Sequence, residues 1–378
     1  MRTVSKTVIG VDFGTQSARA VLVNAENGEI IYSCRKEYPY NSTPVPAIDC
    51  AENLPCATDY EMTLYELLRN VIPEEYRKTV AGICVDATSL TMVLLAEDGR
   101  ALSELDGWSE AAHARVKLWK YHRAQEKADE ALNLARNLQE PFLGRTGGSI
   151  SCEWMLPKLL EVRDEAPEIY SKIDLAMDLC EFLTFRLTGQ LVRSIGSLSY
   201  KCLWAEDLSF PERTFLNGLR AGFYEEYCHF LRGDVRKPGE CAGMLRSELT
   251  KRWGLPEQIP VATGMLDGHT SLATMGAFEP GDAALIVGTS NVCTVQDRKL
   301  QELKDVCGVA QDGMVTGSCG IDTGQSSTGN MLGWFVEHMA GWQIHREAEE
   351  RKISPHQVLA ERIQKPWENK VIAVDWWS

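Results

Sequence analysis

The 378-residue chain predicts an α/β architecture of layered sheets and helices, divided into two related lobes, and three observations carry that prediction. Apolar runs at residues 8–11, 18–23 and 30–33 are joined by short polar turns, so three antiparallel strands form before residue 40. A short helical pattern and then a continuous apolar run at 81–87, of the buried kind, follow them, which is how layered α/β domains are assembled. The third observation is a repeat: the pattern of strand, polar turn and strand at 8–23 returns at 283–295, in the other half of the chain.

The first hairpin carries Asp12 at the end of its leading strand and a turn of Gly14, Thr15, Gln16 and Ser17. Glycine lets the backbone approach a phosphate closely, and the turn N–H groups and the Thr15 and Ser17 hydroxyls can donate to its oxygens. Asp12 would hold a magnesium ion through water, because magnesium keeps several of its waters and takes only one or two carboxylates. Taken alone, the motif fits a plain capped hairpin equally well. The second hairpin, with Gly288, Thr289 and Ser290 at its tip, favours two lobes closing on one nucleotide, with chance similarity as the alternative. Neither a Walker loop nor a G-x-G-x-x-G occurs.

With 44% hydrophobic residues the chain can bury sizeable cores, and its length implies more than one domain, expected at 1–255 and 256–378. A net charge of −14 argues against nucleic acid or an anionic membrane as partner, while ATP needs only a local site. The sequence lacks a signal-peptide pattern and any run of about 18 apolar residues, so a soluble protein is expected. The 12 cysteines sit in apolar contexts such as Cys84 and Cys293 with no C-x-x-C pair. Reduced buried thiols in a cytoplasmic protein explain this better than disulfides or zinc. A homodimer is among the assemblies that composition leaves open.

In chain order, residues 41–59 hold three prolines and read as a loop, and 61–71 as a helix with Leu64, Leu67 and Leu68 on one face. A hairpin is expected around Asp98 and Gly99. Residues 109–138 read as helical and contain Leu118, Trp119, Lys120, Tyr121 and His122. Aromatic faces and charged donors suit a polyol, although a half-buried helix with snorkelling lysines is the plainer reading. Residues 144–154 form a glycine-rich turn opening a helix with Glu153 in its first turn, and 176–187 form a helix stopped by Gly189. Lys201 lies in an otherwise uncharged run, either snorkelling or functional.

Residues 211–254 are helical and polar, interrupted near Pro238 and Gly239, and 259–263 form a short strand. Asp267 then sits at or just before a helix N-terminus, where the dipole favours its ionised form; an N-cap is the simpler alternative. Asp322 falls on a strand end, helices follow at 324–342 and 356–363, and an apolar strand at 371–374 precedes the last residues. The second lobe has about half the length of the first, so the chain reads as truncated with its second lobe incomplete.

These residues resemble the FGGY family of carbohydrate kinases, and within it the L-ribulokinases, along the whole chain. The run from Asp12 to Ser17 with Arg19 is similar to the family's first phosphate motif. Val85, Asp86, Ala87 and Thr88 resemble a V-D-A-T segment, and Leu118, Trp119, Lys120 with His122 resemble L-W-K-x-H. Gly147, Gly148, Glu153, Trp154 and the run Leu179, Cys180, Glu181 fit the same group. Residues 264–269 are similar to the D-x-H segment that carries the catalytic aspartate, which implies that role for Asp267. Gly288, Thr289 and Ser290 match the second phosphate motif, and 320–326 resemble G-I-E-x-G-Q-S.

The resemblance implies two actin-like, ribonuclease-H-like lobes around a nucleotide cleft. It implies ATP- and Mg2+-dependent phosphorylation of a ketopentose, L-ribulose to L-ribulose 5-phosphate, as in L-arabinose catabolism. Sugar contacts are implied for Ala87, Thr88, Trp119, Lys201, Asp267 and Asp322. Three departures stand out: Tyr121 where aspartate is common, Asp322 where glutamate is common, and no later glycine-rich adenosine segment. A kinase for another pentulose or polyol, and a catalytically silent sugar-binding protein, are the rival readings. An actin-like structural protein is disfavoured by the long insertions between the two hairpins.

Overall fold

The computed structural model describes residues 6–38, 54–288, 291–325 and 328–362. The chain divides into two compact units, residues 1–284 with 294–322, and residues 285–293 with 323–378.

The first unit is organised on a seven-stranded sheet. β1 (Thr7–Phe13), β2 (Ser17–Asn24) and β3 (Ile30–Glu37) form the expected antiparallel meander. Helix α1 (Ala57–Val71) buries Leu64, Leu67, Leu68 and Val71 against it, the face its periodicity marks. β4 (Val80–Ala87) then runs parallel to β1, with Asp12 opposite Asp86. β5 (Met92–Leu95) leads into the tight turn at Asp98 and Gly99, where Ala96 N–H donates to Arg100 at 2.8 Å.

The stretch expected to be helical over 109–138 is helical only in α2 (Gln125–Leu138). Upstream of it, Lys117 and Met92 exchange both backbone hydrogen bonds at 2.8 and 3.1 Å, and Val116 N–H donates to Pro55 at 3.0 Å. Tertiary pairing there takes the groups a helix would use. Helix α3 (Met155–Glu165) starts after Trp154, which leaves Glu153 in the preceding turn, and the short α4 (Pro167–Tyr170) follows.

Residues expected to open a helix at 176 instead form β6 (Leu175–Asp178), antiparallel to β5. Helix α5 (Leu179–Thr188) begins only after Asp178, which with Glu181 makes a capping box, and it stops at Gly189 with φ 74°. Next come β7 (Val192–Ser194), α6 (Ile195–Lys201), α7 (Arg213–Leu219), α8 (Phe223–Phe230) and β8 (Asp234–Arg236), with β8 parallel to β7. Helices α2, α3, α7 and α8 bury a second core of their own, including Leu156, Leu159, Phe215, Phe223 and Tyr227.

The chain re-enters the main sheet through β9 (Cys241–Met244), α9 (Ser247–Trp253), β10 (Pro260–Ala262) and β11 (Met265–Leu266). Because β10 and β11 both pair with β4, the residues just beyond 255 belong to the first unit. Helix α10 (Asp267–Met275) follows. β12 (Ala283–Val287), β13 (Asn291–Asp297), β14 (Gly308–Gln311) and β15 (Cys319–Gln325) come next; Asp322 lies inside β15, opposite Gly308, not at a strand end.

In the second unit, α11 (Thr328–Met339) falls within the helix expected at 324–342, whose first residues belong to β15 instead, and α13 (Pro355–Arg362) matches the one expected at 356–363, whereas α12 (Trp342–Arg351) lies between the expected helices; Ile344, Ala348 and Val358 form a small core. The strand expected at 371–374, most of the 41–59 loop, and Thr289, Ser290 and Ser326 lie outside the described residues. Every described cysteine is a free thiol, and no described helix is long and apolar enough to cross a membrane.

One buried ion pair ties α5, β6, β7 and the end of α8 together. Arg193, fully buried, donates to Glu181 at 2.8 Å and to the carbonyls of Ala176, Phe230 and Arg232. Glu181→Leu leaves that guanidinium without its counter-charge, so a loss of about 3–5 kcal/mol is expected in urea unfolding. A loss below about 1 kcal/mol would mean that the three carbonyls suffice.

Candidate active site

The carboxyl ends of parallel strands are where open α/β sheets offer a crevice. Here β1, β4 and β11 end together. Asp12 faces Asp86 across the ladder, Met265 faces Asp86, and Leu266 faces Ala87, so Asp267 opens α10 one residue further on. Gly264 makes this approach possible: a Cβ there would lie 2.6 Å from the Cys180 carbonyl oxygen at the start of α5.

Three carboxylates brought together out of water cannot all stay ionised at ordinary pH. Burial raises Asp12, opposed by its hydrogen bond with Asp86 and by Arg19. Asp86 is pushed further up, by burial first and then by the charge on Asp12. One Asp86 oxygen, Oδ1, is buried without any partner. Burial raises Asp267 to about 6, against the Gly268 N–H that donates to its Oδ1 at 2.7 Å. The helix N-terminus does not hold Asp267 at the ordinary carboxylate value, because desolvation outweighs it.

Beside Asp267 stands a second polar group. Lys201, at the end of α6, lies 3.7 Å from Asp322, and His269 approaches the same carboxylate at 3.7 Å. Burial opposes charge on both partners, yet Asp322 holds the Lys201 ammonium above its usual range while His269 and Lys201 hold Asp322 below its own. Lys201 is therefore not a snorkelling surface residue, since its side chain is only 13% exposed. His269, which closes the D-x-H segment and is not among the residues the sequence marks for the site, is 4% exposed and packs edge-on against Tyr200, with centroids 4.7 Å apart.

The Gly14–Ser17 turn, expected to bind phosphate, is tightly held. Gly14 N–H donates to Ser17 O at 3.2 Å and Tyr38 Oη donates to Gly14 O at 2.8 Å. Ser17 is buried and its Oγ accepts from Arg35 at 3.0 Å, while Gln16 is exposed. Thr15 Oγ1 accepts from Trp119 Nε1 at 3.1 Å, which joins the Trp119 segment to the turn. Below Trp119, Lys117 pairs with Glu161 at 3.0 Å, and Tyr121 Oη donates to Glu161 at 3.0 Å while accepting from Lys117 at 3.1 Å. The tyrosine at this departure from the family pattern is thus part of a buried network.

Thr88 is buried, its N–H donating to Phe13 O at 3.0 Å and its Oγ1 lying 2.8 Å from Thr91 Oγ1; Ala87 is fully buried. Behind them Asp178, with no exposure, accepts from Leu90 N–H at 3.0 Å, Thr91 N–H at 3.2 Å, Leu179 N–H at 2.8 Å and Ser197 Oγ at 2.8 Å. Gly288 belongs to the second unit.

Residues 7–274 match the N-terminal domain of the FGGY family of carbohydrate kinases. The chain is 32% identical over 384 residues to a ribulokinase of Halalkalibacterium halodurans, covering 99% of this chain and 68% of that protein. It is 35% identical over 389 residues to a ribulokinase of Mycolicibacterium smegmatis, with the same two coverages of 99% and 68%. A gluconate kinase structure from Lactobacillus acidophilus superposes with a TM-score of 0.72 at 18% identity, over 96% of this chain and 66% of that one, a likeness of fold. Sheet, carboxylate edge and relatives together define a sugar kinase, a phosphotransferase whose phosphoryl donor is ATP. The chain belongs to the FGGY family of carbohydrate kinases.

Proposed function

We propose that this kinase converts L-ribulose to L-ribulose 5-phosphate in the cytoplasm, with Asp267 as the base. The reading is carried by one arrangement: the buried carboxylate of Asp267, which burial raises to about 6, stands within the fields of Asp12, Lys201 and Asp322. Asp267 takes the proton of the terminal sugar hydroxyl as that oxygen attacks the γ-phosphorus in line. A loose transition state asks for this proton late, so a weak base suffices. Lys201, Asp322, Trp119, Thr88 and the backbone at Ala87 hold the other hydroxyls, and catalysis is largely positioning. The turn of Gly14, Thr15, Gln16 and Ser17, whose Gly14 N–H is already given to Ser17 O, offers its remaining N–H groups and the Thr15 hydroxyl to a phosphate, and the tip of the second hairpin at Gly288, Thr289 and Ser290 is read as a phosphate turn in its own unit.

Asp12 and Asp86 suit a magnesium ion. Among the described residues there is no cage of three or more metal-ligating side chains, and magnesium asks only for one or two carboxylates besides water and phosphate. The unpartnered Asp86 Oδ1 is an acceptor such an ion or its water would satisfy. When bound, the ion offsets charge on the transferring phosphoryl group.

Turnover across L-ribulose, D-ribulose, D-xylulose and glycerol tests the substrate. The largest kcat/KM is expected for L-ribulose; a preference for another of these would replace the sugar and keep the chemistry. Lys201→Met is expected to weaken L-ribulose binding about tenfold or more, since a buried polar contact left unpaired costs roughly 1–3 kcal/mol. An unchanged titration would limit Lys201 to holding Asp322.

A further inference from the structure

Tyr200, the residue before Lys201, is 1% exposed and stands where α6 meets β14 and β15. Three glycines surround its ring. A Cβ on Gly308 would lie 2.6 Å from Cδ1, one on Gly313 2.6 Å from Cε2, and one on Gly320 2.5 Å from Oη. Glycine at each position leaves the room that the ring fills, since packed carbons do not come so close. On α6 itself Gly196, one turn before Tyr200, lets the helix approach the turn after β14: a Cβ there would lie 2.5 Å from Gly313 O.

The hydroxyl is committed as well. Tyr200 Oη donates to Gly320 O at 2.7 Å. Gly320 and Asp322 are two apart on β15 and so face the same side of the strand, while Gly308 stands opposite Asp322 in the ladder. The ring therefore meets the position before Asp322 on its own face and the position across from it. His269 packs edge-on against the same ring, and both His269 and Lys201 approach the Asp322 carboxylate at 3.7 Å. One buried side chain thus adjoins both of these partners of Asp322 and the strand that carries it.

We propose that Tyr200 is a positioning residue for the sugar: it sets how far the Asp322 carboxylate and the Lys201 ammonium reach toward the hydroxyls they hold. The inference rests on the sugar-site reading above. Tyr200 is buried and acts through these two groups. Its bond to Gly320 O fixes β15, and its contact at Gly308 fixes β14, against the helix whose last residue is Lys201. A shift of β15 carries the Asp322 carboxylate with it, and an aspartate has one rotatable bond fewer than a glutamate with which to recover its reach.

Steady-state kinetics with L-ribulose tests this. Tyr200→Phe keeps the ring against His269, and with it the helix that starts at Asp267, and removes only the bond to Gly320 O. KM is therefore expected to rise about fivefold with kcat within about twofold. Gly320→Ala places a methyl group that crowds Oη, and the ring or the strand must give way, so KM is expected to rise about tenfold or more. In Tyr200→Phe with Gly320→Ala the crowding hydroxyl is gone, and the flexible Met314 side chain, 2.8 Å from the same point, can move aside. KM is then expected to fall back to about that of Tyr200→Phe alone.

A merely structural role would move unfolding and leave KM where it was. Phe215→Leu, in the second core and away from the site, serves as the control: it is expected to lower the urea midpoint at least as much as Tyr200→Phe with KM unchanged. An unchanged KM in Tyr200→Phe, an equal rise of KM in Phe215→Leu, or effects that add in the double variant overturns the inference. Should Gly320→Ala fail to fold, the comparison of Tyr200→Phe with Phe215→Leu decides. Asp322→Asn separates the inference from the reading beneath it, since KM is expected to rise there about tenfold. With that rise and none in Tyr200→Phe, the positioning role alone fails; without it, the sugar-site reading fails and takes the positioning role with it.

Discussion

Asp267→Asn is expected to lower kcat by about three orders of magnitude while leaving sugar affinity within a few-fold, because a general base acts on the transition state far more than on the bound substrate. Asparagine keeps the size of the side chain and can still accept from Gly268 N–H, so α10 should start as before. What it loses is the capacity to take a proton. The wild-type pH profile carries the same signature. A base works only when ionised, and burial has moved this carboxyl up to about 6, so kcat/KM should fall about tenfold per pH unit below that value. An unperturbed aspartate would place the fall near pH 4. Retention of most of the turnover by Asp267→Asn, or an acid limb near pH 4 in the parent enzyme, would remove the base role from this residue.

Asp12→Asn is expected to cost about a hundredfold in kcat at fixed magnesium and to weaken the binding of Mn2+, a paramagnetic stand-in, by about tenfold or more. The charge removed is the one that Asp86 faces across the ladder. With Asp12 neutral, a main cause of the raised Asp86 pKa is gone, so the remaining carboxylate ionises more readily and keeps part of the metal affinity. Asp12→Asn with Asp86→Asn should then abolish Mn2+ binding in relaxation measurements made without sugar or turnover. Unaltered Mn2+ affinity in the double variant would move the metal away from this edge altogether.

Much of this site could be read from the sequence because it rests on short-range grammar. The meander of β1, β2 and β3, the buried run of β4 and the glycine-bounded approach to Asp267 are local patterns, and the structure carries each of them. What escaped the sequence depends on distant partners. Residues 109–124 have helical spacing, but Met92 claims the backbone of Lys117. Residues 176–178 read as the start of a helix, but β5 takes them as part of a strand. Asp86 was visible only as part of a matching segment, because nothing in its neighbours in sequence reveals that Asp12 will stand opposite it. His269 escaped for the same reason, as its meaning comes from Asp322, far along the chain.

Asp178 bears on how such an enzyme can change over generations. It reaches no solvent, yet it holds the backbone of Leu90 and Thr91 beyond β4, the first residue of α5 and, through Ser197, the helix that ends in Lys201. The scaffold around the sugar is pinned from behind by a group whose identity is independent of what the pocket accepts. Residues lining the pocket can then be exchanged singly without the surrounding loops losing their shape. On the sugar-site reading proposed above, the shortened acid at 322 is a change of that sort, whereas Tyr121, held in the buried network with Lys117 and Glu161, belongs to the frame. Drift in substrate preference within this lineage would therefore accumulate at the lining, whereas Asp178 itself would tolerate almost no replacement.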